Sequence, residues 1–200
     1  PTNVNTYAAL RGFELLGAEV RAFQADDVMT VARGLSPEDV LVGYAGVAHP
    51  AFDAMGVPRP ALDTWPEALA PFFLRRLWTA TLGEVRASDA PVFIKPLRNV
   101  KTFPGHVRNV GRPDAMHTAM IADDCPIACS EVVEFESEWR CFVLEGRVLD
   151  VRRYKGTFRS SVDWSVLDAA LESFRDQPAG FAMDLGVLSD GRTAIVEVND

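Results

Sequence analysis

Lysine is scarce in this 200-residue chain: Lys95, Lys101 and Lys155 stand against seventeen arginines, so each lysine invites scrutiny. Cysteine is equally sparse, and the odd set Cys125, Cys129 and Cys141 does not make a disulfide scaffold; it fits a reducing compartment and a cytoplasmic protein. No run approaches the roughly 20 apolar residues of a membrane-spanning helix, and no basic segment leads into an apolar one at the start, so no membrane partner is expected. Positive charge is also in deficit. A net charge of −8 is the wrong sign for tracking a phosphate backbone, which argues against nucleic acid. There is no Gly-x-Ser-x-Gly and no Gly-Lys-Ser/Thr loop, which removes serine-hydrolase and P-loop chemistry. His117 with Cys125 and Cys129 lacks the second pair a zinc site needs.

What is present is an ordinary globular composition, 48% hydrophobic and 24% charged, sufficient for one large domain or two small ones. Tyr7, Leu10, Phe13, Leu16 and Val20 follow helical spacing into a short strand at 20–23, and 39–44 reads as a second strand. A helix around 51–55 closes at Gly56, and Val57-Pro58-Arg59-Pro60 reads as a linker. Residues 66–85 have helical spacing, 91–96 form a short apolar strand stopped by Pro96, and 98–111 read as a loop or loose hairpin. From Ser130 onward the pattern is strands and turns around one helix near 164–174. The chain starts without Met and stops on Asp200 after a strand-like run, which suggests trimmed ends.

The last two strands, 181–188 and 192–199, flank Asp190-Gly191, a signal for a two-residue hairpin turn. That register sets Met183 opposite Val198, Leu185 opposite Val196 and Val187 opposite Ala194 on an apolar face. On the other face Asp184 lies opposite Glu197. Carboxylates about 5 Å apart repel unless a cation lies between them. Asn199 shares the face, about 7 Å along the strand. Asp184, Glu197 and Asn199 thus form a hard-oxygen set suited to Mg²⁺, the alternative being a solvated acidic face.

A second hairpin turns at Glu145-Gly146. A two-residue loop there sets Arg140 opposite Val151 and Glu138 opposite Arg153, so Glu138, Arg140 and Arg153 share one end of one face. Two guanidiniums and one carboxylate suit a phosphate or carboxylate ligand, or else make a cross-strand ion pair with a spare arginine.

With Glu197-Val-Asn199, Asp184 on the preceding strand and Lys95 in Val-Phe-Ile-Lys-Pro, the chain resembles the ATP-grasp superfamily of carboxylate-amine ligases, and within it a little-characterised bacterial and phage clade. The resemblance implies an α+β ATP-grasp fold over residues 57–200, with two largely antiparallel subdomains, a smaller lid at 57–129 and a hinge and metal-binding part at 130–200. It implies a small α/β pre-ATP-grasp unit at 1–56. By the same resemblance, ATP and Mg²⁺ are the cofactors. Asp184, Glu197 and Asn199 hold the metal, and Lys95 meets the nucleotide phosphates. Glu131, Val132 and Val133 form the adenine hinge, Glu138 takes the ribose, and 98–105 with Lys101 form a flap. The family's usual upstream lysine is missing before Lys95; Arg75 or Arg76 is the substitute.

The implied reaction phosphorylates a small-molecule or peptide carboxylate to an acyl phosphate, which an amine or similar nucleophile attacks. Lys95, Arg140 and Arg153 are the candidate catalytic residues, the arginines holding the transferred phosphoryl or the acceptor carboxylate. Two other readings stand beside it, an ATP-dependent phosphotransferase and a non-catalytic nucleotide-binding module. A homodimer is a possible assembly.

Overall fold

The computed structural model describes residues 4–58, 63–97, 102–109 and 118–199. The chain divides into two compact units, Pro1–Ala61 and Leu62–Asp200. In the first, the described residues form helices α1 (Val4–Leu15), α2 (Val28–Arg33) and α3 (Ala45–Met55), with a 3₁₀ turn before α2. Gly56 closes α3 in the left-handed conformation, as its place after the apolar run predicts. The strands expected at 20–23 and 39–44 do not form. A short apolar run becomes a strand only when a neighbour supplies hydrogen bonds, and here Phe23 and Leu41 instead pack on the small core of Val28, Ala32 and Ala51.

The second unit holds α4 (Ala70–Phe73), β1 (Leu77–Thr81), α5 (Leu82–Arg86), β2 (Val92–Pro96), β3 (His106–Arg108), β4 (Pro126–Ser130), β5 (Phe135–Leu144), β6 (Arg147–Gly156), α6 (Trp164–Ser173), β7 (Gly180–Leu188) and β8 (Thr193–Asn199). These strands make two antiparallel sheets, β1-β4-β2-β3 and β6-β5-β7-β8. The single helix read over 66–85 is thus three elements. Leu74 adopts a left-handed backbone (φ +52°) that ends α4, and residues 77–81 pair with β4. Helix α5 restarts on a capping box in which Glu84 N–H donates to the Thr81 side chain and Thr81 N–H to the Glu84 carboxylate (2.7 Å). The Thr-x-x-Glu signature was present in the sequence; periodicity alone ran through it. Loop 98–111 does return as a hairpin strand, β3 on β2, and Phe103 is buried in the lid sheet's core with Val92, Ile94 and Ile127. Arg98, Lys101, Gly111 and His117, and Arg59-Pro60 of the linker, lie outside the described residues.

The larger sheet buries one face under α6 and α4 through Cys141, Met183, Leu185, Val187, Ile195, Leu167 and Phe73. Its registers depart from the expected ones by whole residues, and each departure is a β-bulge. The β7–β8 loop has three residues, not two: Leu188 N–H donates to Arg192 O (2.8 Å), and Gly191 takes the left-handed position at φ +84°. Val187 therefore pairs with Thr193 and Leu185 with Ile195. A bulge at Val196 then restores the expected pairs Asp184 with Glu197 and Met183 with Val198.

In β5–β6 the turn at Glu145-Gly146 pairs Leu144 with Arg147 as expected. Bulges at Leu149 and Tyr154 then slide the partner strand twice. Arg140 faces Arg152, Trp139 faces Arg153, and Glu138 faces Lys155. Gly156, at the end of β6, has φ +78°, and a Cβ there would collide with the Glu136 carbonyl. Gly156→Ala is expected to lower stability by about 3 kcal/mol or more, read as a shift in the urea midpoint, because left-handed strain and a backbone clash act together.

Candidate nucleotide and metal site

The face of the larger sheet opposite its core carries a row of charge. Arg140 on β5, Asp184 on β7 and Glu197 on β8 are successive cross-strand partners. Arg140 holds Asp184 through two parallel bonds, Nε to Oδ1 at 2.8 Å and an Nη nitrogen to Oδ2 at 2.7 Å. Lys95, from the edge of the smaller sheet's Phe93–Lys95 face, reaches across to Glu197 Oε2 at 2.8 Å. The two carboxylates that would repel each other are thus each matched by a cation, one from the same sheet and one from the lid sheet. Asp184 is 1% exposed while Glu197 keeps 29% of its side-chain surface in solvent. Burial pushes the Asp184 carboxyl up, against the pull of Arg140's hydrogen bond, and that same bond holds Arg140 above its ordinary value.

Around this row lie groups that strand alternation did not reveal. Tyr154, the extra residue of a bulge, turns its hydroxyl to Glu138 Oε2 (2.7 Å) and Asp184 Oδ2 (3.3 Å), and burial pushes its phenol upward. Lys155 pairs with the buried Glu138. The Asn199 amide donates through Nδ2 to Asp184 Oδ2 at 3.3 Å, leaving its oxygen as the acceptor end. Trp65 lays its ring 4.7 Å from the Lys95 ammonium and donates Nε1–H to Val196 O at 3.1 Å.

The donor chemistry fits magnesium. Asp184, Glu197 and Asn199 offer oxygen alone, and no cluster of three or more His, Cys, Asp or Glu occurs among the described residues. A cation held by one or two protein carboxylates, with phosphates and water completing its shell, is the habit of Mg²⁺. The sequence profile of an ATP-grasp domain, family 2 of its clade, matches residues 72–200. The chain belongs to that family.

No curated protein matches this ATP-grasp chain in sequence. Solved structures similar to it include the ATP-grasp ligase PsnB with minimal precursor, Mg and ADP (17% identity, 77% of this chain and 57% of that chain, TM-score 0.45). Others are the macrocyclase MdnC from Microcystis aeruginosa MRC with precursor peptide MdnA (13%, 66% and 49%, TM-score 0.48) and D-alanine–D-alanine ligase from Bacillus anthracis (13%, 65% and 52%, TM-score 0.44). The chain spans only 49% to 57% of the length of these three.

Within the ATP-grasp fold, Glu131, Val132 and Val133 are not the strand that apolar content suggested. Strand β4 ends at Ser130, and 131–134 is the irregular link between the two sheets. A hollow beside this link, bounded by Arg76, Trp78, Val92 and Val132, lies on the lid sheet's core side, since Trp78 and Val92 point away from the Lys95 face. It is separate from the charged row.

Arg153 does not join Glu138 and Arg140. It pairs across from Trp139 and donates to Gly156 O, while Arg152, opposite Arg140, is the second guanidinium on the charged face and pairs with Asp150 at 2.8 Å. Neither proposed substitute for the upstream lysine extends toward the row as a spare cation. Arg76 stacks on Trp78 (4.4 Å), with its backbone N–H on Glu131 Oε2. Arg75 is buried, bound to Phe73 O, Ile195 O, Val196 O and Ser130 Oγ. Burial lowers Arg75 to about 10, so it remains charged at neutral pH.

Arg140→Ala leaves Asp184 buried without its counter-charge and is expected to destabilise the fold by about 2–3 kcal/mol at pH 7, the lower part of the range for broken buried pairs because Arg140 is partly exposed. The sign with pH follows from Asp184. Its folded value, already raised by burial, rises further in the variant, and protonation then removes the unpaired charge. The deficit against wild type should shrink from pH 7 toward pH 4 in urea melts.

Proposed function

We propose that this chain binds ATP with Mg²⁺ and uses it to activate a carboxylate as an acyl phosphate for attack by an amine or similar nucleophile. The observation that carries the reading is the 2.8 Å contact between Lys95 of one sheet and Glu197 of the other. It brings a phosphate-binding cation onto the acid row, where charge on a transferring phosphoryl group would need support. Mg²⁺ at Asp184, Glu197 and Asn199 would neutralise phosphate charge and align the leaving oxygen. Lys95 would hold the phosphates, the backbone of Glu131–Val133 the adenine edge, and Glu138 the ribose, with 57–129 acting as lid and 130–200 as hinge and metal-binding part. Arg140, already facing the row, would orient the phosphoryl group or the acid.

The acid is a free carboxylate or one at a peptide terminus or side chain; acid and nucleophile are substrates for screening. No helix among the described residues is long and apolar enough to cross a membrane. Burial pushes the thiols of Cys129 to about 11 and Cys141 to about 12, so both behave as core residues, consistent with the reducing cytoplasm in which we place the chain.

Calorimetric titration of ATP with and without Mg²⁺ tests the site. Magnesium-dependent binding is expected in the wild type, reduced at least about tenfold in Lys95→Ala and in Glu197→Gln, with both variants folded by circular dichroism. Wild-type affinity in Glu197→Gln would remove the metal assignment. ADP release with an acid and an amine, forming an amide, supports ligation. A stable phosphorylated product identifies a phosphotransferase, and binding with no ADP from any pair identifies a nucleotide-binding module.

A further inference from the structure

Strand β8 is an edge strand, and an edge strand exposes backbone groups along its outer side. In β8 these groups are taken up by residues far away in sequence. Val198 N–H donates to Thr64 O at 2.9 Å, Trp65 Nε1–H to Val196 O at 3.1 Å, and the Arg75 guanidinium to Ile195 O and Val196 O, each at 2.7 Å. Val196 is the extra residue of the bulge, the one without a partner on β7. Its carbonyl receives two donors, one from each side chain. The next residue along the strand is Glu197.

A bulge bends its strand and re-aims the adjacent side chain, and it persists where the carbonyls it frees find other donors. Here the donors also reach the rest of the site. The Trp65 ring lies against Lys95, and Arg75 Nε–H bonds Ser130 Oγ (3.0 Å) at the last residue before the inter-sheet link. Arg75 suits this work because a planar guanidinium can serve several acceptors at fixed angles, which a lysine cannot.

We propose that Arg75 and Trp65 are positioning residues for the metal and phosphate site, holding the Val196 bulge so that Glu197 and Lys95 meet in the geometry that takes Mg²⁺ and nucleotide. The inference rests on the nucleotide reading above. It assigns no contact with substrate to either residue, and it gives the Arg75 position a role different from that of the missing upstream lysine.

Two variants of the full chain test it. Trp65→Phe keeps a ring over Lys95 and removes the Nε1–H donor; Arg75→Lys keeps the charge and removes the fork. Binding of a non-hydrolysable ATP analogue is measured by calorimetry across a Mg²⁺ series and in EDTA, alongside thermal melts. The expected result is a Mg²⁺ half-saturation raised about tenfold in each variant, in the range seen when groups supporting metal ligands are altered, with affinity in EDTA changed less than about twofold. Wild-type magnesium dependence, with only a lowered melting temperature, would make the pair a simple cap on the sheet edge and overturn the proposal. Should Arg75→Lys fail to fold, Trp65→Phe decides alone. A wild type with no magnesium-dependent binding overturns the nucleotide reading and this proposal together, whereas failure of the variants to differ from a binding wild type overturns this one only.

Discussion

Asp184 and Glu197 lie side by side on neighbouring strands, and that juxtaposition constrains much of the second unit. Buried, Asp184 demands a counter-charge in its own sheet, which Arg140 supplies with two bonds. Glu197, nearer to solvent, takes its counter-charge from the lid sheet, so Lys95 ties the two sheets at the site. The opposite face answers with an unbroken apolar core of Met183, Leu185, Ile195 and Val198. The chemistry of one face and the stability of the other are set by the same alternation along β7 and β8.

Regular strands alone would not assemble this site. Tyr154 reaches Glu138 and Asp184 because β6 carries an extra residue there, and Glu197 follows the extra residue of β8. Bulges unpair backbone groups, and at Val196 the unpaired carbonyl is met by Arg75 and Trp65. Irregular backbone next to reactive side chains, held by donors from distant segments, is how a sheet departs from its pleat without leaving polar groups stranded.

Legibility in the sequence followed the range of the interactions involved. Gly56 as a helix stop and the pair Asp184–Glu197 were readable because a turn and its neighbours fix them locally. The opposed carboxylates emerged from an assumed two-residue turn although the loop has three residues, since the Val196 bulge compensates by one position. Without such compensation, the β5–β6 register slid away from its expected pairs, Arg153 left the charged face and Arg152 took its side. The helix read over 66–85 failed because Leu77–Thr81 has a strand partner, β4, that lies far along the chain at Pro126–Ser130.

The sequence by itself determined the apolar and charged faces of the last two strands, the hard-oxygen character of Asp184, Glu197 and Asn199, and the weight resting on Lys95 in a lysine-poor chain. These depend on residue type and a period of two, which the chain carries locally. Tertiary structure alone decided that Arg140 would neutralise Asp184, that Lys95 would meet Glu197, and that Trp65 and Arg75 would close the edge of β8. Those contacts join residues from 44 to 131 positions apart, and side-chain reach across packed sheets is not written in any local period.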